Sequence, residues 1–401
     1  MRRDPDLERE LASRLQDEAV AGEAEARERS WATVRAAHAA RPVARPARRW
    51  GRWLAALAAG AAVVLVSLTP AGADLRGWIS DAIDPGSTNP KPSLTALPGG
   101  GTVLVESEAG ATVVNADGSR RFLGRFSAAS LSPRARNVAV GDGRTLSAIH
   151  TADGDLRWSL SSGVGRVSDP SWSQDLGFRV AYVSDGELRI VAGDGTGDRR
   201  FAAASPVAPA WRGASDRVLA YVDEGGTVRI ADIDLGTRLA GFDTPGVPRA
   251  VAFSASGERL LVRSAAAVST MDADGRNRLD LRAGGELVAA SFIGASDRRL
   301  AVVSERTDDS GATTSAVSVV AERAGRLVER RLFRTAGPIA GLATAPAGEW
   351  LLVGWKEADQ WLFLEPQPGG AIRAVDNISA QFGPGEAGAP FPVPVEWCCQ
   401  G

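Results

Sequence analysis

The sequence predicts an all-β fold, a β-propeller of seven blades made of four-stranded antiparallel sheets, preceded by an α-helical N-terminal arm and one transmembrane helix. Short apolar runs and Asp-Gly turns recur between residues 94 and 375 with a period near 40 residues, which is typical of propellers. One apolar marker in each unit gives steps of 34, 41, 39, 42, 39 and 50 residues. These markers are Leu97, Leu131, Trp172, Trp211, Phe253, Phe292 and Leu342.

The N-terminal arm, residues 1–52, carries leucines at helical spacing among charged residues. A second short helix is predicted around residues 24–40, before an Arg- and Pro-rich run ends it. Two interpretations stay open: marginal, solvated helices, or a surface that docks a cytoplasmic protein. The docking residues would be Leu7, Leu11, Leu15 and Trp31.

Residues 53–73 contain no charged side chain, and a helix of about 20 residues covers the apolar core of a bilayer. Arginines crowd the N-terminal flank, so the positive-inside rule places the arm in the cytoplasm and the propeller outside. A cleaved signal is the alternative, because Ala71-Gly72-Ala73 resembles a cleavage site. The 52 residues that precede it favour an uncleaved anchor, and hence a single-pass protein of the cell membrane.

An amphipathic stretch and a Pro-rich linker, residues 74–93, lead to the predicted propeller at residues 94–397. In one of its clearest units, the run from Val180 to Val183 suits a strand covered on both faces, and Ser184-Asp185-Gly186 suits a hairpin turn. The ring must be closed by one end of the array. Either the long segment after Val375, with residues 378–382 as its most strand-like piece, or the chain around residues 94–97 would complete a blade that the other end begins.

The sequence Asp169-Pro170-Ser171-Trp172-Ser173-Gln174-Asp175, followed by an apolar strand, resembles the WD40-like repeat of the TolB type. The resemblance covers roughly residues 94–375 and implies blade architecture, with no particular function. The Gly-His and Trp-Asp pairs of true WD40 repeats are missing. The order of arm, span and outer domain also resembles actinobacterial anti-sigma proteins, a likeness of layout that assigns no residues.

Two insertions interrupt the regular units, at residues 306–314 and 356–360. Loops at a propeller rim are common binding sites, so the second insertion and its flanking tryptophans form a candidate binding loop. The alternative places these tryptophans in the blade core. The candidate residues are Trp355, Lys356, Glu357, Asp359 and Trp361.

Catalytic patterns are scarce, and we expect a non-enzyme without cofactor or metal. The only histidines are His38 and His150, and no Gly-x-Ser-x-Gly elbow accompanies them. Asp272-Ala273-Asp274-Gly275 resembles the start of a calcium loop but lacks its final glutamate, which favours a hairpin turn. A net charge of -2 gives no reason to expect nucleic acid.

The C-terminal tail, residues 398–401, holds the only two cysteines, Cys398 and Cys399. In an oxidising compartment they could form a vicinal disulfide, pair with another chain or remain free thiols, and the sequence leaves these alternatives open.

Three functional hypotheses follow. The first is a non-catalytic, membrane-anchored module whose propeller recognises a protein or envelope ligand outside the cytoplasm. The second is a transmembrane regulator whose arm docks a cytoplasmic partner while the propeller senses. The third and weakest is a propeller hydrolase or lyase that assembles its site from scattered carboxylates.

Overall fold

The computed structural model describes residues 93–174, 178–213, 215–382 and 390–399. In these ranges 28 strands form seven antiparallel sheets of four strands, which confirms the predicted seven-bladed propeller. The arm, the candidate span at residues 53–73 and the linker up to residue 92 lie outside the described residues. Within the described ranges, no helix has the length and apolar character needed to cross a membrane.

Six blades are built from consecutive strands, counted outward from the central channel. Blade 1 contains β4 (Ala128–Leu131), β5 (Asn137–Asp142), β6 (Thr145–His150) and β7 (Leu156–Ser161). Blade 2 contains β8 (Val167–Trp172), β9 (Arg179–Ser184), β10 (Glu187–Ala192) and β11 (Arg199–Ala203). Blade 3 contains β12 (Ala210–Trp211), β13 (Val218–Val222), β14 (Val228–Asp232) and β15 (Thr237–Phe242).

Blade 4 contains β16 (Ala250–Phe253), β17 (Arg259–Arg263), β18 (Ala267–Asp272) and β19 (Leu279–Arg282). Blade 5 contains β20 (Glu286–Phe292), β21 (Arg299–Thr307), β22 (Thr313–Arg323) and β23 (Arg326–Ala336). Blade 6 contains β24 (Ile339–Thr344), β25 (Leu351–Trp355), β26 (Gln360–Leu364) and β27 (Ile372–Asp376).

Blade 7 joins the two ends of the described chain. Its inner strand is β28 (Val393–Cys398), which pairs with β1 (Thr102–Ser107), followed by β2 (Gly110–Asn115) and β3 (Arg120–Gly124). The C-terminal strand therefore closes the ring, and it includes Cys398. No strand of the blade begins before Thr102 in the described chain.

The strand-like interpretation of residues 378–382 is wrong, because Ile378–Phe382 form a short helix, α1. The Asp359 carboxylate accepts hydrogen bonds from the backbone N–H of Ser379 at 2.9 Å and from its hydroxyl at 2.6 Å. Ile378 is fully buried in the core between blades 6 and 7. A side-chain cap and one buried anchor thus favour a helical turn over a strand that would have no neighbour.

Residues in the second and third strands of the blades are covered on both faces. In β9, Val180, Ala181 and Tyr182 are completely buried although they point alternately to opposite sides. Each blade packs its apolar face against the next blade, so the core consists of clusters between blades. Burial on both faces explains why these strands are continuously apolar in sequence.

The recurrent Asp-Gly pairs turn the chain between third and fourth strands. The Asp153 carboxylate accepts the N–H of Asp155 at 2.8 Å, and Gly154 follows with φ of 82°. The Asp274 carboxylate accepts the N–H of Arg276 in the same way at 3.0 Å. These are aspartate-stabilised turns, which confirms the hairpin interpretation of the calcium-like sequence.

The antiparallel order of strands gives the ring two distinct faces. Turns from first to second and from third to fourth strands lie on one face, which we call the turn face. Connections from second to third strands, and from one blade to the next, lie on the opposite face. We call it the insertion face, because both insertions of the sequence, at residues 306–314 and 356–360, belong to connections of this kind.

Candidate functional site

Blade 5 departs most from the regular ring. Its strands β21, β22 and β23 have 9, 11 and 11 residues, whereas every other described strand has seven or fewer. Three or four additional residues lengthen a strand by roughly 10 Å at ~3.3 Å per residue. We call these three strands the projecting sheet.

The two insertions meet on the insertion face. The Gly337 N–H donates to the Thr313 carbonyl at 2.8 Å, and the Trp355 indole donates to the Ala336 carbonyl at 2.9 Å. Gly337 has φ of 80°, and a Cβ at this position would collide with the carboxyl group of Glu357. The projecting sheet and the loop after β25 therefore form one continuous surface.

A half-buried carboxylate holds the base of this surface. Glu305 accepts hydrogen bonds from the Ser315 hydroxyl at 3.2 Å and from the Ile339 N–H at 3.0 Å. The Ser315 hydroxyl shares its single proton between Glu305 and the Gly337 carbonyl, which lies at 2.7 Å. These contacts fix the direction in which the projecting sheet leaves the ring, because they link β21, β22 and the start of β24.

The predicted binding loop divides between surface and core. Lys356 and Glu357 are exposed, and Trp355 is half-buried with its ring edge against Phe333, the two centroids being 6.2 Å apart. These three residues border the projecting sheet.

Trp361, in contrast, is completely buried, and its indole donates to the Pro392 carbonyl at 2.8 Å. Asp359 is engaged as the cap of α1. We therefore assign Trp361 and Asp359 to blade packing, which was the alternative interpretation for the tryptophans.

The outer strand β23 is the basic part of the projecting sheet. Four of its arginines are exposed, and none makes an ion pair with any residue that the structure describes. They are Arg326, Arg330, Arg331 and Arg334. Beside β23 lies an open cavity of about 310 Å³, lined by Arg331 and Arg334 together with Arg306, Glu305 and Glu329. Arginine therefore outnumbers glutamate in this cavity.

A second concavity, of about 630 Å³, opens on the turn face. Its central group is Arg259, which is buried and donates to Asp272 at 2.6 Å and to Glu322 at 3.0 Å. Hydrogen bonds from Asn277 and Arg259 lower the pKa of Asp272. At the rim, Arg212 pairs with Glu258 at 3.2 Å. The ion pairs of Arg259 join Asp272 of blade 4 to Glu322 of blade 5, so we interpret this concavity mainly as a fastening between these two blades.

Sequence reasoning did not find this network. Its members come from three blades. Arg259 and Glu322, which are hydrogen-bonded to each other, lie 63 residues apart in the sequence. No local motif links them, and only their place at corresponding turns of successive blades could have suggested proximity.

A carboxyl group in the wall between blades 7 and 1 is also unusual. Glu396 of β28 accepts the Leu131 N–H at 2.9 Å, and Ser130 provides a further hydrogen bond. Burial raises the pKa of Glu396 to about 7, against an ordinary value of 4.5, although the residue as a whole keeps part of its surface exposed. Burial also raises the pKa of Glu106 in the adjacent strand β1.

Neither metal nor triad geometry is found among the described residues. They contain no group of three or more His, Cys, Asp or Glu side chains arranged to hold a metal ion. The imidazole of His150 lies 2.8 Å from Asp153 in an exposed turn. No serine hydroxyl contacts this histidine in the described part of the chain.

The remaining predicted site residues differ in what the structure says of them. The sulfurs of Cys398 and Cys399 lie within bonding distance of each other, and the vicinal disulfide stays a prediction. The docking residues proposed for the arm, Leu7, Leu11, Leu15 and Trp31, lie outside the described residues.

No known family and no curated protein matches this chain in sequence. A chain in the crystal structure titled mitotic checkpoint complex is similar in fold, with 15% identity and a TM-score of 0.53 over 66% of this chain and 84% of that one. The β-propeller domain of Myceliophteria thermophila Cps50 (Swd1) has 12% identity and a TM-score of 0.50 over 69% and 90%.

Kuenenia stuttgartiensis hydrazine synthase has 13% identity and a TM-score of 0.49 over 60% and 76%. Likeness at such low identity shows the fold alone. The chain is thus a seven-bladed propeller with WD40-like structural neighbours, and the actinobacterial likeness stays a prediction.

Proposed function

We propose that this protein is a non-catalytic binding module that uses the insertion face of its propeller, around the projecting sheet, to hold a protein partner. The observation that carries the proposal is the concentration of irregular features in one place. In the part of the chain that the structure describes, blade 5 alone has lengthened strands, and the loop with Trp355, Lys356 and Glu357 is packed against it.

The character of this surface suits a macromolecule better than a small substrate. It combines a half-buried aromatic ring, exposed charges and long strands, and the cavity beside β23 is open to solvent. Small-molecule sites are usually enclosed and apolar with a few convergent polar groups. Protein partners bind instead to broad surfaces with aromatic and arginine anchors.

We further propose that residues 53–73 anchor the protein in the membrane, with the arm in the cytoplasm and the propeller outside. The support is the uncharged run and the arginines that precede it. Protease treatment of intact and permeabilised cells tests the arrangement. Protection of the propeller in intact cells would contradict it.

The binding function is tested by affinity capture with the full chain. In one variant, residues 306–314 are replaced by Asn-Gly, which shortens the β21–β22 hairpin to a two-residue turn. In a second, Trp355→Ala is combined with Lys356→Glu. We expect both to lose a protein that the wild-type chain recovers.

The matched control changes the turn face, where Asp274→Ala removes an exposed carboxylate. This control should recover the partner at the wild-type level. Recovery that is equal for all variants, or no specific recovery by the wild-type chain, would contradict the proposal.

A further inference from the structure

We propose that the outer edge of β23 binds an extended, acidic segment of the partner protein, which adds to blade 5 as a fifth antiparallel or parallel strand. This inference rests on the proposed function and specifies the chemistry of the partner. It follows from the free backbone groups of the strand, its length and the charge around it.

The edge of β23 is open in the described chain, and a bulge at Leu332, opposite Val317 and Ser318, interrupts its regular pairing after Arg331. β23 is the last strand of its sheet, paired only with β22. Ala324 and Gly325 both have positive φ and form a two-residue turn, closed by the pair Arg323 and Arg326. In such a hairpin the two closing residues are hydrogen-bonded to each other. From that pair onward, the backbone N–H and C=O groups of successive β23 residues point alternately outward and toward β22.

The outward residues are consequently Leu327, Glu329 and Arg331. Their N–H groups find no acceptor among the described residues. Unpaired donors along an exposed strand are a template for another strand, and β-strand addition is a common mode of peptide recognition. At 11 residues, β23 offers a longer template than any other outer strand, because the others have four to six residues.

The positive charge of β23 indicates which kind of segment would bind at its edge. Arg326, Arg330, Arg331 and Arg334 are exposed along the edge without ion-pair partners in the described chain, and Glu329 is the one acidic residue of the strand. Carboxylates of an incoming segment would meet guanidinium groups, which bind carboxylates in a bidentate geometry. A second copy of β23 is disfavoured, because it would place arginine opposite arginine.

The cavity beside β23 can accommodate side chains of the added strand. It continues the face of the sheet on which Arg331 and Arg334 lie, and Arg306 forms its far side. The Arg306 guanidinium is held by the Gly284 carbonyl at 2.9 Å through Nε, which positions its charge at the rim. Since alternate residues of a strand point to the same face, acidic residues at every second position would fit this cavity.

The experiment uses the full chain and a synthetic ten-residue peptide that alternates Glu with Val. A second peptide has the same sequence with every backbone amide N-methylated, which removes the donors from both of its edges, and a third has Lys in place of Glu. Fluorescence anisotropy measures affinity at low and moderate salt, and hydrogen exchange measures protection of β23.

We expect the Glu-Val peptide to bind and to protect Leu327, Glu329 and Arg331. The N-methylated and Lys peptides should each bind at least about tenfold more weakly, because one lacks donors and the other has the wrong charge. If the N-methylated peptide binds equally well, the arginines act as a diffuse anion patch and strand addition is wrong. If phosphatidylserine vesicles compete for the protein as well as the Glu-Val peptide does, the arginines likewise act as a diffuse anion patch and strand addition is wrong.

Matched variants test the edge from the side of the protein. Glu329→Pro and Glu329→Ala remove the same carboxylate, but only proline also removes an outward N–H, and outward positions of an edge strand tolerate proline. We expect at least about tenfold weaker binding for Glu329→Pro than for Glu329→Ala. Arg331→Glu should weaken binding similarly, while Arg238→Glu on the outer strand of blade 3 should not.

The outcomes separate this inference from the proposed function. One outcome is that partner capture depends on the β21–β22 hairpin and Trp355 while the two Glu329 variants bind the peptide equally. That result would support the binding module and overturn strand addition. Absence of any detectable peptide binding by the wild-type chain would overturn strand addition as well.

Discussion

The carboxyl group of Glu396 makes the closure of the ring dependent on pH. Its pKa is raised by burial to about 7 in the folded chain, against 4.5 ordinarily. The folded state therefore holds a proton that the unfolded state releases, so the stabilisation is complete below about pH 4.5 and is lost as pH rises to about 7. At about 1.4 kcal/mol for each tenfold change, the difference amounts to at most about 3 kcal/mol.

Glu396→Gln tests this reasoning, because glutamine keeps the shape and can accept the Leu131 N–H without carrying charge. Urea unfolding, followed by tryptophan fluorescence between about pH 5 and about pH 8, should show the wild-type chain losing stability as pH rises. The variant should keep the slope due to Glu106, whose pKa is also raised by burial, and lose the slope due to Glu396. It should exceed the wild-type stability at the alkaline end by up to about 3 kcal/mol.

The control is Glu224→Gln, which changes an exposed carboxylate in the turn between β13 and β14. Its unfolding free energy should follow the wild-type curve throughout. Parallel curves for the wild-type chain and Glu396→Gln would refute the assignment of a protonated carboxyl group at the ring closure.

Two further predictions concern the core and the turn-face network. Trp361→Ala should lower the free energy of unfolding by about 4 kcal/mol, measured by urea titration, because it empties a completely buried site. Trp355→Ala should cost less than about 1.5 kcal/mol at its half-buried site, so equal losses would contradict the division between core and surface. Arg259→Leu should lower the free energy of unfolding by about 3 kcal/mol in thermal or urea unfolding, since it leaves the Asp272 and Glu322 carboxylates without their cationic partner. Arg276→Leu removes an arginine from an ion pair that is exposed on both sides and should cost less than about 1 kcal/mol, and equal effects of the two changes would refute a fastening role for Arg259.

Six of the seven sequence markers fall on inner strands, because an inner strand needs a large apolar residue at the end that packs between blades. Leu131, Trp172 and Trp211 are examples. Leu97 does not lie on an inner strand, since it precedes β1. The inner strand of blade 7 comes from the other end of the chain and carries Trp397. A period measured along one chain cannot reveal a blade completed by its two ends.

The position of the closing strand within the segment after Val375 was missed for a further physical reason. Prolines around β28, including Pro394 within it, count against a strand when they are read locally. An inner strand, however, has one edge facing the channel, where a missing N–H disturbs no ladder. Pro170 in β8 occupies a comparable inner strand. Proline in a propeller is therefore compatible with first strands, and the sequence alone does not show which strands are first.

Deviation from the repeat predicts the candidate surface better than the repeat itself. The longest step, 50 residues between Phe292 and Leu342, spans β21, β22 and β23, and their additional length accounts for it. Tryptophan was a poorer guide, because Trp361 and Trp355 differ in burial although they border the same loop. Apolar residues that recur are selected by packing between blades, whereas added length has no packing role in a ring already closed. Arg326 and Arg334 of β23 lie on such added length, at the two ends of the part that pairs as in the other blades, and this is the physical reason to look for the partner there.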